Sequence, residues 1–237
     1  MSDDRRRGGE PRPKAVLFDF HDTLAELIGG TERVVAQRLG IPVDVLRIGM
    51  AEVFAHHVPT LRRDGIWPKQ PDVMFHRLYE ALFDVLGLDR DPTSDVDHLN
   101  EVFWSPTSYR AYPDVRPVLD HLHGAGLRLG LVSNSDFDLH PVLDHIGLDG
   151  LVDVAVAAFL YGVEKPDRAA FEIALDGLGV AAPDCWFVGD HPEFDAVAAD
   201  VLGMTAVLVD REDRHAGAGW PFPRIRDLTP LPDMLGL

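Results

Sequence analysis

The stretch V-L-F-D-F-H-D-T-L, residues 16–24, ends an apolar run in Asp19, His21, Asp22 and Thr23. An apolar run bounded by turn chemistry reads as a buried strand. A carboxylate at the carboxyl end of such a strand sits where open α/β sheets place their ligands. Three later stretches repeat the pattern. L-G-L-V-S-N-S-D (129–136) supplies Ser133 and Asn134, the loop Y-G-V-E-K-P-D (161–167) supplies Lys165, and W-F-V-G-D-H-P-E-F-D (186–195) supplies Asp190 and Asp195. Carboxylates, a hydroxyl with adjacent backbone amides and one lysine suit phosphoryl transfer. Asp19 and Asp190 are hard oxygen donors of the kind that holds Mg²⁺. The metal and Lys165 would neutralise charge on the transferring group. Ser133 and the amide after it could hold the equatorial oxygens, and an aspartate such as Asp19 can attack phosphorus to form an acyl phosphate. Lysine is otherwise found only at Lys14 and Lys69, which gives Lys165 added weight.

Apolar runs at 14–18, 127–132, 152–159, 185–189 and 205–209 alternate with amphipathic patterns at 115–125, 139–146, 167–178 and 193–202. This alternation predicts an α/β fold, a doubly wound parallel sheet with helices on both faces. Residues 24–108 show helical periodicity and no clear strand, with Pro59, Pro68, Pro71 and Pro92 dividing them into several helices. They are expected to form an inserted α-helical cap domain, with the core domain built from 14–23 and 109–237. Residues 1–13, rich in Arg, Gly and Pro, are expected to be a mobile tail. The Gly- and Pro-rich stretch after Asp210 is expected to wrap the core loosely and carries no assigned chemistry.

The chain has 237 residues, with 39 acidic against 22 basic, for a formal charge of -17. That balance repels phosphate backbones and argues against nucleic acid as a partner. No apolar run approaches the roughly 20 residues of a membrane span, and the N-terminus has no apolar signal core. The single cysteine, Cys185, suits a reducing cytoplasm and lies in a run where burial is the expected role.

With its four motifs in order, F-D-F-H-D-T-L, L-V-S-N-S, K-P-D and V-G-D-H-P-E-F-D-A-V-A-A, the chain resembles the haloacid dehalogenase-like hydrolase superfamily over residues 14–211. The resemblance implies Asp19 as nucleophile and Mg²⁺ ligand, Ser133 as phosphate ligand and Lys165 as charge clamp. It also implies Asp190 as metal ligand, Asp195 as support for metal or lysine, and a metal ligand in the backbone carbonyl of His21. The implied substrate is a small phosphorylated metabolite, and the helical insertion is the cap that closes over the site.

The superfamily's phosphatases place a second aspartate two residues after the nucleophile, usually followed by glycine. Here those positions are His21 and Asp22. Proton transfer then falls to His21, whose ordinary pKa of about 6.5 suits it, to Asp22 through a local backbone turn, or to neither, leaving a fold that only binds a phosphorylated ligand. A 2-haloacid dehalogenase would use the same nucleophile without Mg²⁺. The acidic pair Asp190 and Asp195 argues against it, and such enzymes carry an aromatic residue at the His21 position. Phosphonate cleavage would need a cap lysine, for which Lys69 is the only candidate. By default His191 is a loop residue, Asp136 a helix cap, His56, His57, Arg62 and Arg63 a solvated face, and Trp67 and Trp104 packing anchors.

Overall fold

A computed structural model describes residues 12–237. The expected mobile tail lies, up to residue 11, outside the described residues. Six parallel strands run in the order β5-β4-β1-β6-β7-β8. They are β1 (Ala15–Phe18), β4 (Arg128–Ser133), β5 (Val154–Ala157), β6 (Cys185–Gly189), β7 (Thr205–Val209) and β8 (Arg224–Ile225). After β1 the chain builds the sheet outward on one side through β4 and β5, then crosses back and builds the other through β6, β7 and β8. The switch point therefore lies at β1.

Register explains why the motifs meet. Phe18 pairs with Leu131 on one side and Val188 on the other. Asp19 follows one residue after that row, Ser133 and Asp190 two residues after it, so all leave the sheet at one edge. Alternation along β1 feeds two cores. Val16 and Phe18 pack with Leu119 and Leu122 of the helix Val115–Gly124, and Ala15 and Leu17 with Phe171 and Ala174 of the helix Arg168–Leu178. Covering both faces is what a parallel sheet requires.

The insertion contains five helices, α1 (Thr31–Leu39), α2 (Val43–His56), α3 (Val58–Arg63), α4 (Pro71–Leu86) and α5 (Thr93–Trp104), around their own core of Leu46, Val53, Met74, Leu82, Val96 and Leu99. Two expectations are corrected. Residues 24–108 do contain a strand, β2 (Ala25–Leu27), which pairs antiparallel with β3 (Tyr109–Ala111) as a ribbon carrying the chain into and out of the helices. At three residues each, these strands are too short for a period to register. The C-terminal stretch is also not loose. Ile225, Leu228, Leu231 and Leu235 are buried in the main core, and Arg211 binds Asp114 and the carbonyl of Thr23. Among the described residues no helix is long and apolar enough to cross a membrane.

Candidate active site

Lys165 is buried, and its ammonium donates to Asp19 Oδ1 at 2.5 Å and Asp195 Oδ1 at 2.7 Å. Burial alone would depress the lysine pKa, but the two carboxylates outweigh it and hold the group above its ordinary value. Oxygens of Asp19, Asp190 and Asp195 lie within 4.8 Å of one another. Three carboxylates against one ammonium leave surplus negative charge. Asp190 feels it most, pushed up to about 8 by burial and then by Asp19, Asp195 and Asp22. Asp195 is raised as well, by burial, with Lys165 opposing. An all-oxygen donor set carrying unbalanced negative charge fits a hard divalent cation such as Mg²⁺ and does not suit a thiolate-preferring metal.

Local backbone places each group. Asp195 lies in Pro192–Val197, wound as π-helix before α-helix resumes at Ala198–Val201. Such segments recur at functional sites because they re-aim side chains. Its Oδ2 accepts from the His191 amide at 2.9 Å. Asp195 also packs against Gly189, where an added Cβ would overlap its carboxylate. Asn134 does not project freely: its amide donates to Lys165 O at 3.0 Å and accepts from Lys165 N at 2.7 Å. That clamp spans β4 and the Lys165 loop and holds the ammonium in place.

His21 is tied on both sides. Its Nε2 lies 3.3 Å from Tyr109 Oη, and its Nδ1 lies 3.5 Å from Ser133 Oγ. The Tyr109 hydroxyl donates its only hydrogen to the Phe103 carbonyl at 2.8 Å. Nε2 must therefore carry the imidazole proton, which leaves the Nδ1 lone pair towards Ser133. Ser133 in turn shares a 2.8 Å hydrogen bond with Ser135. Burial, then the Lys165 charge, pull the His21 pKa down to about 4, so the ring is neutral at pH 7.

Asp22 stands at φ 56, in the left-handed region. It lines a solvent-open crevice with Asp190, Tyr112, Arg211 and Arg214, and partial burial raises its carboxyl. Thr23 is buried, and its hydroxyl has no protein partner.

The remaining residues divide. Cys185 is buried and Trp67 is a buried anchor. Lys69 is exposed. Arg62 is no mere solvated residue: it pairs with Glu164 at 2.5 Å, and Trp67 Nε1 donates to the same carboxylate at 2.8 Å. The next helix has a cap contact from Asp138, whose Oδ1 takes the amide of His140, and Asp136 bonds a tryptophan, its Oδ2 accepting from Trp104 Nε1. His191 accepts the amides of Glu193 and Phe194 on Nδ1, capping the π-wound segment. Sequence reasoning missed Tyr109, Ser135 and Glu164. Glu164 could have been noticed as a charge beside Lys165, but Tyr109 carries no local signal.

Residues 13–203 match the family described as haloacid dehalogenase-like hydrolase. The chain is 32% identical over 208 residues to haloacid dehalogenase-like hydrolase domain-containing protein 3 of Danio rerio, covering 84% of this chain and 85% of that protein. It is 34% identical over 124 residues to phosphatase MT3486 of Mycobacterium tuberculosis, a match covering 52% of this chain and only 54% of that protein. Among solved structures, a 2-haloacid dehalogenase from Pseudomonas syringae superposes with a TM-score of 0.64 at 28% identity, covering 94% of this chain and 98% of that one. A six-stranded parallel sheet with a helical insertion, motif carboxylates gathered at one edge and matches along most of its length establish that the chain belongs to the haloacid dehalogenase-like hydrolase family.

Proposed function

We propose that the chain is a Mg²⁺-dependent phosphatase of a small phosphorylated metabolite, with Asp19 as nucleophile. The observation that carries this is the buried Lys165 ammonium bridging Asp19 and Asp195 beside Asp190. Asp19, Asp190 and the backbone carbonyl of His21 would hold the metal, with Asp195 in support. When bound, it supplies positive charge to the phosphoryl oxygens. Asp19 attacks phosphorus, the phosphorus–oxygen bond to the ester breaks, and the departing alkoxide takes a proton. Water then attacks the Asp19 acyl phosphate, giving up a proton and releasing inorganic phosphate. Ser133 and Lys165 bind the non-bridging oxygens, Asn134 holds Lys165 in position, and the hydroxyl of Thr23 supports the turn. The core domain (14–23 and 109–237) supplies all these groups, and the cap domain (24–108) covers them.

The neutral His21 ring suits the proton-accepting step, because its Nδ1 lone pair lies on the Ser133 side of the site. Asp22, on the Asp190 side with a raised carboxyl, is the other group able to exchange protons. The surplus negative charge around Asp190 supports a metal-assisted reaction over metal-free dehalogenation.

The test is a panel of phosphate monoesters assayed with and without Mg²⁺, with Asp19→Asn as blank beside His21→Ala, His21→Asp and Asp22→Gly. Full activity in Asp19→Asn ends the nucleophile assignment. Full activity in His21→Ala with none in Asp22→Gly moves proton transfer to Asp22. Mg²⁺-dependent binding without turnover by the wild type identifies a binding protein instead.

A further inference from the structure

A cavity of about 460 Å³ lies between the helical insertion and the core. Its volume falls within the roughly 300–1,000 Å³ typical of small-molecule sites. Its core wall includes Asn134, Glu164 and Phe194, immediate chain neighbours of Ser133, Lys165 and Asp195, so it adjoins the catalytic edge. The rest is largely apolar. Trp67 meets Phe54 and Phe159 edge to face at ring-centroid distances of 6.0 and 5.8 Å, and Phe194 stacks on His191 at 4.3 Å. Phe54 and Phe194 remain 48% and 41% exposed, leaving apolar surface at the rim that an occupant could cover.

Charge narrows the occupant further. Among the described residues lining the cavity, Arg62 is the sole cation, and Glu164 already neutralises it at 2.5 Å. The lining carboxylate Glu32 is likewise held by Arg47 at 2.6 Å. A second anionic group entering this space would give up its water without gaining an unpaired cation.

We propose that the cavity binds the leaving alcohol of the substrate and selects a neutral, ring-bearing group, disfavouring esters that carry a second carboxylate or phosphate. The proposal rests on the phosphatase reading and specifies its substrate class. Rings are favoured because aromatic edges and faces already line the space and ring burial gains both area and edge-to-face contact.

The test compares 2-phenylethyl phosphate, ethyl phosphate and phosphoglycolate, which all release primary alcohols, so that intrinsic reactivity contributes little to the ranking. The expected result is kcat/KM about tenfold or more higher for the phenylethyl ester than for either other ester. That ratio should fall several-fold in Phe54→Ala and in Met50→Ala, both partly exposed positions on the cavity wall. In parallel, 3-phenylpropylphosphonate should bind the wild-type protein with Mg²⁺ about tenfold more tightly than propylphosphonate, measured by calorimetry. Equal values within each pair, a preference for phosphoglycolate, or a preference that both variants keep in full overturns the proposal. If no ester is hydrolysed, the phosphatase reading fails by itself, and the phosphonate pair still decides whether the cavity selects rings.

Discussion

Replacing Lys165 with methionine removes the only cation between two buried carboxylates while keeping most of the side-chain volume. The side chains of Lys165, Asp19 and Asp195 are 4%, 9% and 1% exposed, so water cannot solvate what the ammonium leaves behind. Removing one partner of a buried pair costs about 3–5 kcal/mol. For a chain of this size that lowers the unfolding midpoint by roughly 6–20 °C, at about 2–4 °C per kcal/mol. The sign with pH follows from the shifts. The Lys165 pKa is raised above its unfolded value of about 10.4, so its stabilisation is fully present at neutral pH and disappears only in strong alkali. In Lys165→Met the unpaired carboxylates should bind protons more readily folded than unfolded, so the defect should shrink as pH falls from 7 towards 5. Mg²⁺ should also raise the midpoint of Lys165→Met more than that of the wild type, because it supplies the missing charge. Urea and thermal unfolding at pH 5 and 7, with and without Mg²⁺, measure all three effects. A loss below about 1 kcal/mol, the worth of a solvent-exposed pair, would refute the picture of a buried, charge-starved cluster.

Gly189→Ala places a methyl group onto the Asp195 carboxylate, and should cost about 1–3 kcal/mol in urea unfolding and displace the Lys165 partner. Asp22→Ala, at φ 56, should lose about 1 kcal/mol where Asp22→Gly loses none; equal losses would show that left-handed backbone does not govern this turn. Asp210 is buried and accepts from the amides of Arg214 and His215 and from Arg224. Burial opposes its charge, but these bonds prevail and hold its pKa below the usual range. Its stabilisation is therefore present above about pH 4 and lost as pH falls through its lowered pKa, a dependence that Asp210→Asn should remove from an acid unfolding curve.

That the motif residues share one sheet edge was legible because their signals are local. A short apolar run, then a carboxylate or hydroxyl, can be read without knowing what lies beside it, and the register of Phe18 against Leu131 and Val188 shows why such ends converge. The C-terminal stretch was misread for the opposite reason. Gly and Pro dominate its composition, while Leu228, Leu231 and Leu235 are too sparse to form a pattern, yet each finds the core. Arg62 illustrates a second limit. In sequence it is one of two arginines near a helix end, and only folding brings Glu164, 102 positions further along by residue number, against it.

His21 shows how far such reasoning reaches. The residue type alone suggested a proton carrier with an ordinary pKa, since nothing nearby in sequence indicates burial. Folding buries it beside Lys165 and Tyr109: burial, then the Lys165 charge, keeps the ring neutral, while Tyr109 fixes which nitrogen bears the proton. Tyr109 lies on β3, where the chain returns from the helices, and its hydroxyl is anchored to Phe103 of α5. The orientation of the histidine that stands where the family's phosphatases carry their second aspartate is thus set partly by the helical insertion, through two hydrogen bonds. A shift of α5 relative to the sheet that broke the Tyr109–Phe103 bond would release the Tyr109 hydroxyl and free His21 to adopt the other tautomer, in which Nδ1 carries the proton and offers Ser133 no lone pair. The tautomer of His21 therefore depends on a hydrogen bond made at positions 103 and 109, which the residue sequence 19–23 cannot reveal.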